Sequence, residues 1–212
     1  MVDIGKSAGK RTLALITDMD IPLGNAIGNA LEVKEAIEVL NGKGPKDLTE
    51  VCLCLATNML YLAEKGSIEE CERMAKDAIA SKKALNTFVQ MVKAQGGNSE
   101  YILRPELFKN ADYSYEVKAA EEGYIYSVNT EGYGIASLLL GAGRNVKEDK
   151  IDFSAGIILR AKTGDFVNKG DVIATLYSEK NAFEASTKKL LESTKICATP
   201  PEKRDLVLAR VE

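Results

Sequence analysis

Aspartates beside a short apolar run, an arginine among glycines, and four cysteines are the residues whose types and spacing could do chemistry in this chain. Asp18 and Asp20 follow the run Arg11-Thr-Leu-Ala-Leu-Ile-Thr17. They therefore fall at the carboxyl end of a predicted strand, the edge at which open α/β sheets bind ligands. There they either line a ligand pocket or cap neighbouring backbone N–H groups, and the pattern by itself favours capping. Gly141-Ala-Gly-Arg144 has glycine backbone able to wrap an anion and a guanidinium able to clamp it. It lacks the longer spacing and the Lys-Ser/Thr ending of a nucleotide loop, so it reads as a turn with a structural arginine. Cys52 and Cys54 sit two apart on a predicted helix and point about 200° apart, which defeats a shared metal site. Histidine is absent, so any catalysis has to use carboxylate, Lys, Arg, Tyr or Cys.

The composition narrows the setting. At 212 residues and 45% hydrophobic content a substantial core is possible. No apolar run approaches the ~18 to 20 residues of a membrane span, and Met1 to Arg11 lacks the form of an export signal. A cytoplasmic protein without membrane contact is expected. The net charge of −3 comes from 28 basic and 31 acidic residues that are interspersed, so a nucleic-acid partner is not expected. Cys52, Cys54, Cys71 and Cys197 form no C-x-x-C pair and read as reduced thiols.

The elements that must position these residues change character along the chain. Arg11 to Thr17 reads as a buried strand of a parallel sheet. Pro22 to Gly28 reads as an irregular connection, and Asn29 with Glu32 as an N-cap and its capping-box partner. Helices are predicted from Asn29 to about Leu40, from Asp47 with Glu50 as its box partner, from Ser67 with Glu70, and across Leu85 to Val92. A parallel strand cannot stand alone, because its unpaired backbone groups need neighbours. The remainder of its sheet is expected outside these residues. After about residue 110 the texture turns to β: strands at Tyr115–Lys118, Gly123–Val128, Gly156–Arg160 and Val172–Tyr177, a short helix at Ile135–Leu140, and a closing helix near Glu179–Ser193. The fold class is then α+β. Residues 1–110 form an incomplete α/β domain, with one core strand plus helices, and residues 111–212 form a β-rich module of barrel-sandwich type.

The run Ile16-Thr-Asp-Met-Asp-Ile-Pro-Leu-Gly-Asn-Ala-Ile-Gly-Asn-Ala-Leu-Glu-Val-Lys-Glu-Ala36 resembles the segment of pyrimidine-nucleoside and thymidine phosphorylases that joins a central strand to the next helix. Gly44-Pro-Lys-Asp-Leu-Thr-Glu50 with Met59 agrees in order, as do Gly141-Ala-Gly-Arg144, Glu148-Asp-Lys-Ile-Asp152, Gly156 and Gly164-Asp-x-Val-x-Lys-Gly170. The resemblance is to the C-terminal half of that family. It implies phosphorolysis of a pyrimidine nucleoside by phosphate to free base and pentose 1-phosphate, in a homodimer. It also implies that the phosphate loop, of the form K-x-S-T-G-G-V-G-D, and the base-holding Arg, Ser and Lys belong to a missing N-terminal half.

One site carries over with the resemblance. A potassium ion is held in bacterial members partly by carbonyls matching Leu23 and Ala26 and by a glutamate matching Glu35. An oxygen-only set of this kind suits a hard cation. Without the resemblance Glu35 reads as a solvated helix carboxylate paired with Lys34 or a distant base. The Gly164-to-Tyr177 stretch resembles the half-barrel of biotinyl and lipoyl carriers without their modifiable lysine tripeptide, so it reads as a packing element. Two functions remain open: part of a phosphorylase, inactive by itself, or a non-catalytic binding or structural protein.

Overall fold

A computed structural model describes residues 1–144 and 146–212. In chain order its elements are α1 (Val2–Ser7), β1 (Ala14–Thr17), β2 (Ala26–Ile27), α2 (Asn29–Leu40), α3 (Lys46–Leu62), α4 (Ile68–Ala80), α5 (Lys83–Ala94) and α6 (Glu100–Leu103). They continue with β3 (Tyr113–Lys118), β4 (Gly123–Val128), α7 (Thr130–Ser137), a π-type turn at Leu138–Ala142, β5 (Gly156–Leu159), β6 (Phe166–Val167), β7 (Val172–Ser178), α8 (Glu184–Glu192), β8 (Thr194–Cys197) and β9 (Val207–Val211). This is a mixture of helix and sheet, in keeping with α+β. Among the described residues no helix is long and apolar enough to cross a membrane.

The chain divides into two compact units. The first comprises Met1–Asp18, Ile37–Ser99 and Arg204–Glu212, and the second Met19–Ala36 and Glu100–Lys203. In the first, the expected buried parallel strand is instead antiparallel: β1 pairs with β9, Ala14 opposite Val211 and Ile16 opposite Ala209. It is also half-exposed, Ile16 at 50%. Its partner comes from the far end of the same chain, so its backbone groups are paired without a crossover helix. Arg11 and Arg210 lie over the Tyr61 ring at 5.5 and 5.2 Å, and Arg210 Nε donates to Asn58 Oδ1 at 2.8 Å. These contacts fasten the ribbon to α3 through cation–π attraction and one charge-assisted hydrogen bond.

The helix starts follow local chemistry with two corrections. Ser67 and Glu70 form the expected capping box at α4. At α3 the Asp47–Glu50 box does not form: Pro45 is the N-cap, without a side-chain bond, and the helix begins at Lys46. At α2 the carboxylate of Glu32 accepts from the Gly28 N–H at 2.9 Å, one residue before the expected Asn29. The Asn29 amide donates instead to the Ala142 carbonyl at 2.8 Å.

The second unit holds two open antiparallel sheets, in the orders β2-β5-β7-β3 and β6-β4-β8, and neither closes into a barrel. Their inner faces and helices α7 and α8 enclose one core that includes Val117, Ile125, Ile157, Leu176 and Leu190. Each such side chain contributes about 1.5–3 kcal/mol by leaving water. Phe166–Val167 and Val172–Ser178, read as one strand-turn-strand, separate into different sheets, β6 beside β4 and β7 between β5 and β3. β2 crosses β5 so closely that glycine is required. A Cβ on Gly28 would lie 2.5 Å from the Ala155 carbonyl, and one on Gly156 2.3 Å from that of Ile27. Both residues also have φ in the range that only glycine adopts without strain.

Candidate functional site

The candidate site lies in the connection from Met19 to Gly28 and the helix that follows. Pro22 and Gly24, the latter at φ 74°, prevent regular structure until β2 begins at Ala26. Glu35 lies just under two turns into α2, and its carboxylate reaches back over the loop. Its Oε1 accepts from the N–H of Asn25 at 2.8 Å and of Ala26 at 3.2 Å. Two successive amides converging on one oxygen form a small anion-binding nest. Lys34, one of the partners expected for Glu35, donates instead to Asn110 Oδ1 and lies over Phe108.

The sheet register sets where the loop's carbonyls go. Leu159 N–H donates to the Asn25 carbonyl at 2.8 Å, and Ala26 stands opposite Ile158. Ala26 is thus a position of the pair whose N–H is free of β5, and that N–H is the one that donates to the Glu35 carboxylate. Leu23 is on the same loop with its side chain 43% exposed. The Gly24 carbonyl accepts from Lys162 Nζ at 2.7 Å. Among the described residues no three His, Cys, Asp or Glu side chains cluster so as to hold a metal ion. A cation site here has to draw on backbone carbonyls together with Glu35, which are the oxygen donors a hard monovalent ion prefers.

The other candidates lie elsewhere. The Asp18 N–H donates to the Leu206 carbonyl, and Asp20 is exposed in the second unit. Gly141 and Ala142 end the π-type turn, Gly143 is a bend, and Arg144 is exposed outside any element. The Gly141 and Ala142 carbonyls accept from the Asp152 N–H and the Asn29 amide, so that part of the backbone faces protein. Cys71 is buried, Cys52 exposed, and Cys54 and Cys197 intermediate, all as free thiols.

Two groups that sequence reasoning missed hold the surroundings. Asp152 Oδ1 accepts from the Ser154 N–H at 2.9 Å and hydroxyl at 2.6 Å, and Oδ2 from the Glu179 N–H at 3.0 Å. Burial pushes its carboxyl up, but the hydrogen bonds from Ser154 and from backbone N–H groups outweigh that and hold it below the usual carboxylate range. Lys162 reaches Gly24 across 138 positions of sequence, and no local pattern signals such a contact.

Residues 1–85 match the family described as glycosyl transferase family, a/b domain, and residues 124–197 match the pyrimidine nucleoside phosphorylase C-terminal domain. The pyrimidine-nucleoside phosphorylase of Geobacillus stearothermophilus is 44% identical over 212 residues, all of this chain and 49% of that relative. Those of Staphylococcus haemolyticus and Staphylococcus epidermidis are 45% and 46% identical over 199 and 197 residues, 93% and 92% of this chain and 46% of each relative. The chain spans about half the length of the curated relatives it matches. Along that span it belongs to the pyrimidine-nucleoside phosphorylase family, and corresponds to its C-terminal half.

Proposed function

We propose that these residues serve as the C-terminal half of a homodimeric pyrimidine-nucleoside phosphorylase, which converts a pyrimidine nucleoside and phosphate to free base and pentose 1-phosphate. The observation that carries this reading is the 44% identity across all 212 residues to a relative of that name. No K-x-S-T-G-G-V-G-D segment occurs among the 212 residues, so by themselves they are expected to be inactive. The module's two open sheets around one core support reading it as a barrel-sandwich.

We further infer that Leu23, Ala26 and Glu35 supply part of a potassium site. What supports it is the Glu35 carboxylate held on the Asn25 and Ala26 amides of the irregular loop that carries Leu23. A bound potassium would supply a fixed positive charge beside this loop. The protein's own contribution is to hold a carboxylate and carbonyls within reach of one another.

The test is phosphate-dependent release of uracil from uridine, measured for the 212-residue chain alone and mixed with the remaining half of the Geobacillus stearothermophilus relative. No release by the chain and release by the mixture is the expected result. Release by the chain alone rejects its inactivity, and no release from a mixture whose two pieces bind each other favours the non-catalytic reading. In the active mixture Glu35→Gln should raise the potassium needed for half-maximal rate at least about tenfold. An unchanged requirement removes Glu35 from the site.

A further inference from the structure

The loop from Met19 to Asn25 has little regular structure of its own, and much of what holds it comes from the β-rich module. Leu159 N–H donates to the Asn25 carbonyl, and Ala26 and Ile27 stand opposite Ile158 and Ile157. The Lys162 ammonium donates to the Gly24 carbonyl at 2.7 Å. Gly24 is a left-handed residue at φ 74°, and the contact is charge-assisted and partly buried. Lys162 is itself fixed: its N–H donates to Asp165 Oδ2 at 2.8 Å, and its carbonyl accepts from the Asp165 N–H at 2.9 Å. These bonds close a turn on Gly164, which has φ 99°. Gly24 lies in the a/b-domain match and Lys162 in the C-terminal-domain match, and both belong to the same compact unit.

We propose that Lys162 is a positioning residue for this loop. By holding the Gly24 carbonyl it takes that oxygen out of the donor set, fixes the backbone between Leu23 and Ala26, and keeps the Asn25 and Ala26 amides on Glu35. Its effect on potassium rests on the cation reading above; its effect on the loop does not. The β-rich module then does more than pack: it sets the conformation of a segment that belongs to the α/β part of the sequence.

The experiment measures amide hydrogen exchange by NMR on the full 212-residue chain, without potassium, for the wild type, Lys162→Met and Lys162→Arg. Lys162→Met should speed exchange at Asn25 and Ala26 about tenfold, the change expected from losing one charge-assisted hydrogen bond. Ala75 in α4 should be unaffected, and Lys162→Arg, which keeps a cationic donor, should restore protection. Unchanged exchange at Asn25 and Ala26 in Lys162→Met overturns the proposal. Where Lys162→Met also exposes Ala75, Lys162→Gln, with a neutral donor, gives the local comparison under the same criterion. In the active mixture with the relative's remaining half, Lys162→Met should raise the half-saturating potassium about tenfold and leave the rate at saturating potassium unchanged. A local exchange effect with no potassium dependence in the wild-type mixture keeps Lys162 as the tether and rejects the cation reading.

Discussion

The two compact units solve the problem of burial differently. In Met19–Ala36 with Glu100–Lys203, two sheets and two helices close around a contiguous core, and Ala174, Leu176 and Leu190 are fully buried. In the other unit α3 carries Leu53, Leu55, Leu60 and Leu62 along with Val51 and Met59, yet only Val51, Thr57 and Asn58 are buried on it. Leu55 and Met59 are 42% and 67% exposed. A helix apolar on several faces has the composition of a covered helix, and the relatives are about twice as long as this chain. The contrast teaches that close backbone packing and sheet pairing complete the second unit within these residues. The first unit buries a smaller set between its helices, Ile37, Val39, Cys71 and Ala75 among them, and adds a two-stranded ribbon.

Substitutions can break or sharpen that contrast. The largest effect is expected at Gly156→Ala, where the new Cβ would meet the Ile27 carbonyl at 2.3 Å with φ at 154°. A loss of about 3 kcal/mol or more is expected in denaturant unfolding. Gly96→Ala in the first unit has nothing within 4 Å and φ 77°, so only backbone strain of about 1 kcal/mol should appear. Equal losses at the two glycines would remove the distinction between the units. Next, Ser67→Ala deletes the α4 capping box and should cost about 1 kcal/mol, with the helix amides near Ser67 exchanging faster. No change there would mean that packing alone holds α4.

The smallest effect concerns pH. Because the Asp152 carboxyl is held below its ordinary value, the folded state binds its proton less tightly than the unfolded chain does. Its contribution is complete above the unfolded aspartate value near ~3.9 and is lost as pH falls through the lower folded one. Asp152→Asn should flatten the acid limb of stability against pH in that window and leave the slope at neutral pH unchanged. An acid limb identical to the wild type's would show that Asp152 is not linked to the second unit's stability.

Much of this was legible in the residues. The Ser67–Glu70 box, helices α2 to α5, and strands at Gly123–Val128, Gly156–Leu159 and Val172–Ser178 all rest on signals a few residues long, whereas the helix expected at Ile135–Leu140 begins at Thr130 and the one expected from Glu179 begins at Glu184. The likeness to the phosphorylase family was equally legible, because it lies in ordered runs of residue types. β9 was not read, and β1 was read as parallel, because the pairing of Ala14 with Val211 spans nearly the whole chain. Strand direction is decided by which distant run supplies the ladder of hydrogen bonds.

The candidate loop divides in the same way. Sequence by itself determined that a connection read as irregular over Pro22–Gly28 precedes a helix carrying Glu35, since Pro and Gly disfavour regular structure and the residues of α2 favour helix, but it missed that Ala26–Ile27 pairs as β2. Only the tertiary structure decided that Glu35 turns back onto the Asn25 and Ala26 amides and that Lys162 holds Gly24. The physical reason is range. Propensities and caps act within a turn or two, whereas a carboxylate or an ammonium finds its partner only after the β2–β5 crossing has brought distant segments together.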